Sequence, residues 1–396
     1  MSPDARRALV AGLVVGLVGG VWVGTQAQSD ELGDLGDLLG TEQTPSDEAL
    51  DVIEDSYFKK VDSERLDDAS IRGMVRELRD RYDDRFSHYF DPGQLRQFKQ
   101  ATSGSFSGIG LSVREVDRGL RVTTVFDDTP AKQARIREGD LILAVDGRSI
   151  AGEPADVATG MIKGPSGTKV ELKVASPSTE KTRKLELKRA EVRVPVVQGD
   201  LRRADGRKVA YVQLAGFSEG AHGELRGELE RLYRRGAKGF VLDLRGNGGG
   251  LLNEAVLTAS VFVDEGVIVS TSGRTQPDQD YRAVGDALEP RPGVVLINRD
   301  SASAAEILAA ALGDHDLATV VGTRSFGKGS FQEVIELDNA AAIDLTVGEY
   351  LTSEGRSLAG EGIRPEVAAK DDLDTRNDEA LRRGLEVLGG ELGGAQ

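Results

Sequence analysis

Cysteine is missing from this chain, and histidine and tryptophan nearly so: 396 residues hold no Cys, three His and one Trp. Without cysteine there is no disulfide, no thiol nucleophile and no cysteine-rich zinc site. The histidines, His88, His222 and His315, form no H-E-x-x-H pair, so a zinc-peptidase helix is excluded. A Ser-His-Asp esterase of the α/β-hydrolase type is the weaker alternative, because Asp316 beside His315 is better read as part of a turn than as a triad partner. His88 sits among aromatics in F-S-H-Y-F, a packing environment, and the G-D-H-D around His315 reads as a solvent turn. Basic residues are outnumbered, 50 Lys and Arg against 66 Asp and Glu, for a formal charge of −16. Such a surface disfavours nucleic acid as partner. Neither a metal nor a cofactor is expected.

What is present begins with a targeting segment. Arg6 and Arg7 precede an apolar run over 8–24, roughly 17 residues, at the short limit for crossing a bilayer. Thr25-Gln26-Ala27 offers a small-residue cleavage site. Residues 1–27 therefore read as a signal peptide or an N-terminal membrane anchor, and both readings put the rest of the chain outside the cytoplasm. Residues 28–45 form an acidic linker. Over 46–100 helical spacing returns, with one apolar stripe at Leu50, Ile53, Tyr57 and Phe58 and another at Ile71, Met74, Val75, Leu78 and Tyr82. A third short helix opens at Asp91-Pro92.

Residues 101–189 change to strand-like alternation at 110–116 and 120–126, a short helix after Thr129-Pro130, then G-D-L-I-L-A-V-D-G and a turn into 170–174. This order resembles a PDZ domain. On that resemblance Gly108, Ile109, Gly110 and Leu111 form the loop whose backbone N–H groups bind a peptide's terminal carboxylate, while the peptide adds a strand to the sheet edge. Arg135 stands where that family usually has glycine, so the end of the short helix is expected to differ.

From about residue 190 to 370 strands and helices alternate, the pattern of an α/β core with parallel strands. After the strand 239–244 comes R-G-N-G-G-G. This loop reads as a phosphate cradle, a flexible turn or an oxyanion hole; it lacks both the third spaced glycine and any G-K-[ST] that nucleotide binding requires. The stretch 298–332 holds the chemistry. A buried strand at 294–297 breaks into an alanine-rich helix, leaving Ser301 and Ser303 at a helix N-terminus, where unpaired N–H groups favour negative charge. Lys328 follows, between Gly327 and Gly329, with Gln332 four residues on. A serine needs a base, and a desolvated lysine serves. Read locally, Ser303 and Glu306 are a capping box worth about 1 kcal/mol.

Together, S-A-S-A-A-E and G-K-G-S-F-Q resemble the C-terminal processing peptidases, also called tail-specific proteases, over roughly residues 46–370. The resemblance implies an α/β multidomain fold: a protease core, an inserted PDZ-like β-rich domain and an N-terminal helical region. It implies a serine endopeptidase with Ser303 as nucleophile, Lys328 as general base and Gln332 supporting the lysine. D-L-R-G-N-G-G-G-L-L resembles the family's D-L-R-N-N-P-G-G-L-L, which makes the N–H groups of Gly249 and Ala304 the oxyanion hole, with Gly248 in the place of proline. Substrates would be proteins with free C-termini, and the helical region would contribute to a homodimer. The alternative is an inactive PDZ scaffold in the cell envelope. A neutral lysine requires water to be excluded, and Phe326 and Phe331 are the expected screens. In a straight strand Gln332 would lie about 13 Å from Lys328, so a kink is expected at 327–330 with the strand starting near Phe331. The tail, 371–396, carries a helix over 377–388.

Overall fold

The computed structural model describes residues 44–177, 181–275, 277–371 and 377–394. The targeting segment 1–27 and residues 28–43 of the linker lie outside them. Among the described residues no helix is long and apolar enough to cross a membrane. The chain divides into two compact units, Met1–Gly73 and Met74–Gln396. In the first, helix Pro45–Ser56 starts at the end of the expected linker, because Thr44 caps it and exchanges hydrogen bonds with Asp47. The unit boundary falls inside helix Ser63–Tyr82. Neither helix buries a residue; Ile53, Tyr57, Phe58, Met74 and Tyr82 of the apolar stripes are all exposed.

The second unit is built on a six-stranded sheet in the order Val197–Ala204, Arg207–Leu214, Phe240–Asp243, Gly293–Ile297, Thr319–Gly322, Val367–Ala368. The first pair is a hairpin; every later pairing is parallel. The central strands are apolar without alternation because both faces are covered. Helices Ala221–Arg234, Leu252–Ala259 and Ala304–Asp314 share one core with Val212, Leu242 and Val295. Leu225, Leu229 and Leu232 recur at helical spacing to fill it. Helix Glu379–Gly394 covers the other face, setting Leu388 and Leu392 against Val241, Val294 and Val321. The tail thus packs on the core, and its helix runs further than expected.

A second sheet joins His88–Phe90, Ala342–Thr352, Val267–Ser272 and Gln279–Arg282, with Ser330–Glu336 also paired to Ala342–Thr352. Between the helix Pro92–Thr102 and the core lies a β-rich module. It has five strands in one sheet from Leu111–Val116 to Thr182–Lys188, a short sixth strand, two short helices and its own core around Leu120, Ile142, Leu172 and Val174. Arg135 ends its first helix at φ +56°, a left-handed backbone that a side chain disfavours. The departure read in the sequence leaves the turn intact, with Arg135 adopting the conformation glycine takes freely. Arg135→Gly is therefore expected to stabilise the protein by roughly 0.5–1 kcal/mol, the relief of left-handed strain less glycine's extra unfolded-state entropy. A denaturant midpoint that stays put or falls would count against this.

Candidate active site

Three loops meet because three neighbouring parallel strands end on the same side. Loop 244–250 follows Phe240–Asp243, loop 298–303 follows Gly293–Ile297, and loop 323–329 follows Thr319–Gly322. The carboxyl ends of such strands are where open α/β sheets bind ligands.

The two serines of S-A-S have different surroundings. The Ser301 hydroxyl is fully buried; it donates to Leu244 O at 2.8 Å and accepts from Asn298 N–H at 3.0 Å, so it stitches two strand ends together. Ser303 sits at φ +55°, ψ −118°, a conformation a serine adopts only when its surroundings impose it. It is followed directly by helix Ala304–Asp314, whose first N–H, that of Ala304, has no acceptor among the described residues.

Glu306 is what imposes it. This side chain has no exposed surface, and four donors converge on its two oxygens. Oε2 accepts from the N–H groups of Ser303 (2.8 Å) and Lys328 (2.9 Å). Oε1 accepts from Gly327 N–H (2.7 Å) and Ser325 Oγ (2.5 Å). The helix cap read from sequence is half of this; the other half holds the lysine loop.

Lys328 is reached through a turn, as expected, with Gly327 at φ +87°. Gly329 presses on the chain beyond it: a Cβ there would come within 2.0 Å of Ala359 N. The strand begins at Ser330, one residue early, and opposite Phe331–Gln332 the paired strand Ala342–Thr352 bulges at Val347. Gln332 has other partners. Its Nε2 donates to Ser330 Oγ and Thr346 Oγ1, each at 3.2 Å, and the expected contact with Lys328 is not made. Nor is Phe326 a screen, being 57 % exposed. The Lys328 amine instead lies over the Phe86 ring, 5.0 Å from its centroid, with no hydrogen bond or ion pair among the described residues. Burial pushes its pKa below the ordinary lysine range, against the pull of Asp344. Asp344 is in turn raised by burial and eased by Lys328 and His88. His88, read as packing alone, is thus exposed and paired in register with Asp344.

The glycine loop is held by Asn247, which has no exposed surface. Its Nδ2 donates to Leu214 O and its Oδ1 accepts from Gly249 N–H, both at 2.8 Å, while its backbone carbonyl accepts from Ala302 N–H at 3.0 Å. Gly249 packs so close that a Cβ would meet Ser303 Cβ at 2.9 Å and Ala304 N at 3.0 Å. The Gly249 N–H, expected to be free for an oxyanion, is therefore adjacent to the serine but engaged by Asn247. Arg245 anchors the loop's start with a two-pronged pair to Asp243 and bonds to Asp371 and Asp378 of the tail.

A cleft of about 1100 Å³ runs from this loop to the β-rich module, touching Gly249, Gly250 and Phe217 at one end and Leu111, Val113 and Thr159 at the other. At that far end the Ile109 side chain is buried in the module's core, and the N–H groups of Ile109 and Gly110 have no acceptor among the described residues. Gly108 pairs with Ala190, and Leu111 opens the strand along the cleft.

Residues 208–369 match Peptidase family S41, residues 107–188 a PDZ domain and residues 20–92 the Activating protease CtpB N-terminal domain. The chain is 34% identical over 323 residues to the Carboxy-terminal processing protease CtpA of Bacillus subtilis (strain 168), covering 81% of this chain and 68% of that one. It is 35% identical to a Carboxy-terminal-processing protease of Bartonella bacilliformis, covering 81% and 73%. The chain belongs to the C-terminal processing peptidases of family S41. It is a serine-type peptidase carrying a PDZ domain. A solved photosystem II D1 C-terminal processing protease has the same fold, at 29% identity and a TM-score of 0.51, covering 88% of this chain and 98% of that one.

Sequence reading of this peptidase missed the second half of Glu306's contacts, the part played by Asn247, and Phe86. An asparagine two residues before a glycine is a readable turn signal; nothing local to F-S-H-Y-F points to a lysine 242 residues away (328 − 86). Because Glu306 accepts from both loops, Glu306→Gln turns an N–H₂ group toward at least one pair of those donors. It is expected to cost about 2–3 kcal/mol of stability and at least tenfold in kcat, beyond the loss of a helix cap. Peptide hydrolysis and a denaturant midpoint measured together check this; a variant equal to wild type in both would leave Glu306 as a cap and no more.

Proposed function

We propose that this peptidase cuts extracytoplasmic proteins near their C-termini with a Ser303/Lys328 dyad, the substrate's end being held by the PDZ domain. The observation that carries the reading is the shared carboxylate: Glu306 Oε2 accepts both the Ser303 and the Lys328 backbone N–H, so the two residues sit at opposite sides of one buried oxygen.

In the proposed cycle the neutral Lys328 amine takes the proton of Ser303 Oγ as that oxygen attacks the scissile carbonyl carbon. The resulting oxyanion accepts from the Ala304 N–H at the helix start, and from Gly249 N–H once the Asn247 carboxamide yields it. Collapse breaks the C–N bond, and the Lys328 ammonium returns its proton to the leaving amine. Water, deprotonated by the same amine, then hydrolyses the Ser303 ester. Gln332 acts on the lysine through the strand it steadies rather than by direct contact. Next to Leu111, which lines the other end of the cleft, the N–H groups of Ile109 and Gly110, without an acceptor among the described residues, suit a terminal carboxylate, and Gly108 and Leu111 set the loop's two ends.

A fluorogenic peptide assay tests the dyad. Ser303→Ala and Lys328→Ala are each expected to abolish cleavage, and the double variant to be no worse than either, because the groups act as a unit. Lys328→Arg is expected to be inactive, since guanidinium keeps its proton. In wild type log(kcat/KM) should rise with pH through a pKa below about 10.4, the ordinary lysine value: the base works only deprotonated, and burial lowers the pH at which that happens. A flat profile from pH 6 to 10, or an active arginine variant, sinks the lysine-base mechanism. Recognition is tested separately. Peptides ending in a free acid should bind more tightly than their carboxamides, and equal affinity would remove the PDZ domain from substrate choice.

A further inference from the structure

The cover over the Lys328 amine comes from a segment outside every motif of the peptidase core. Phe86 lies with its ring 5.0 Å from Nζ. Its position is locked by Asp84. Oδ1 of Asp84 accepts from the N–H groups of Phe86 (3.0 Å) and Ser87 (3.1 Å) and from Thr346 Oγ1 (3.1 Å), while Oδ2 accepts from Ser87 Oγ (2.5 Å). Ser87 Oγ in turn accepts from Thr346 N–H at 3.0 Å. Thr346 Oγ1 also accepts from Gln332, so the lock reaches the strand that follows the lysine. Immediately downstream, His88–Phe90 pairs antiparallel with Ala342–Thr352.

We propose that residues 84–87 form a fixed cap on the general base, in which Phe86 keeps water from the Lys328 amine and Asp84 holds Phe86 in place. Both are positioning residues, acting through Lys328, and the proposal rests on the Ser/Lys reading above. The ring has two opposing effects: its face attracts an ammonium, whereas its bulk denies that ammonium water. Burial is the leading influence on Lys328 and its pKa lies below the ordinary range, so exclusion of water prevails. The other charged or titratable groups around the amine are Asp344 from the paired strand, His88 beside it, Asp84 within the cap, and Glu306, which takes the lysine's backbone N–H. Burial alone would raise the Asp84 carboxyl; the hydrogen bonds from Ser87, Phe86 and Thr346 outweigh it and keep the group ionised to lower pH.

The test is kcat/KM against pH, from 6 to 10.5, for the full chain and for Phe86→Leu, Phe86→Ala and Asp84→Asn. Opening the cap hydrates the ammonium and moves the rising limb to higher pH. Phe86→Ala should be about tenfold less active at neutral pH, the equivalent of one pKa unit, and should converge on wild type at the alkaline plateau. Phe86→Leu and Asp84→Asn, milder changes, should fall between. A limb that does not move in any of the three, or a loss of equal size at every pH, overturns the cap. Lys328→Ala in the same assay separates the two levels. If it stays active, the base assignment fails; if it is inactive while the Phe86 and Asp84 limbs stand still, the cap alone fails.

Discussion

A single buried carboxylate sets the geometry on which the rest of this site depends. Burying a carboxylate is costly unless its lone pairs are filled, and Glu306 fills them with donors from two separate loops. The serine loop and the lysine loop cannot separate without exposing that charge to an unsatisfied interior. The constraint passes further along the chain: Ser325 Oγ, which donates to Glu306, also accepts from Ile363 N–H at 2.6 Å, and Ser325 N–H donates to Ile363 O. The turn ahead of the last core strand is thereby tied to the same point. Ser303 holds its strained backbone because its N–H has one place to go.

The same contacts separate polar groups that are used up from those left available. Ser301 and Asn247 are saturated with backbone partners and serve as fasteners. Among the described residues the Lys328 amine and the N–H groups of Ala304, Ile109 and Gly110 are not saturated; Gly249, packed against Ser303 and Ala304, and Leu111, next to Gly110, line one cleft. Unpaired polar groups in partly buried positions are expensive, so natural chains keep few without use. In this chain those left open coincide with the positions where the proposed reaction needs a base, an oxyanion donor and a carboxylate site.

Much of this was legible beforehand, and what was missed has a common cause. The parallel core followed from unbroken apolar strands alternating with amphipathic helices, the PDZ module from turn spacing, and the kink before Ser330 from the reach of a strand. Gln332, Phe326 and Phe86 were misread or unread because each depends on where a side chain points in three dimensions. No local pattern announced that Gln332 would give its Nε2 to Ser330 and Thr346 and leave Lys328 aside. Phe326 was assigned to shield Lys328 because it is near in sequence, yet its N–H is drawn to Ser301 O and its ring is left in solvent. The real cover comes from the second sheet, through a pairing between residues far apart in the chain.

The second sheet therefore does more than extend the fold. Strand Ala342–Thr352 pairs on one side with the strand that follows the lysine and on the other with the strand that follows Phe86. Thr346, at its middle, bonds to Asp84 and to Gln332 at once. The glutamine implied by motif and the aromatic cap found by geometry thus belong to one hydrogen-bonded unit, although neither touches the other. Glu306 fixes the lysine's backbone and this sheet fixes what surrounds its side chain. A base that must be neutral needs both, because a well-placed amine open to water would hold its proton at neutral pH.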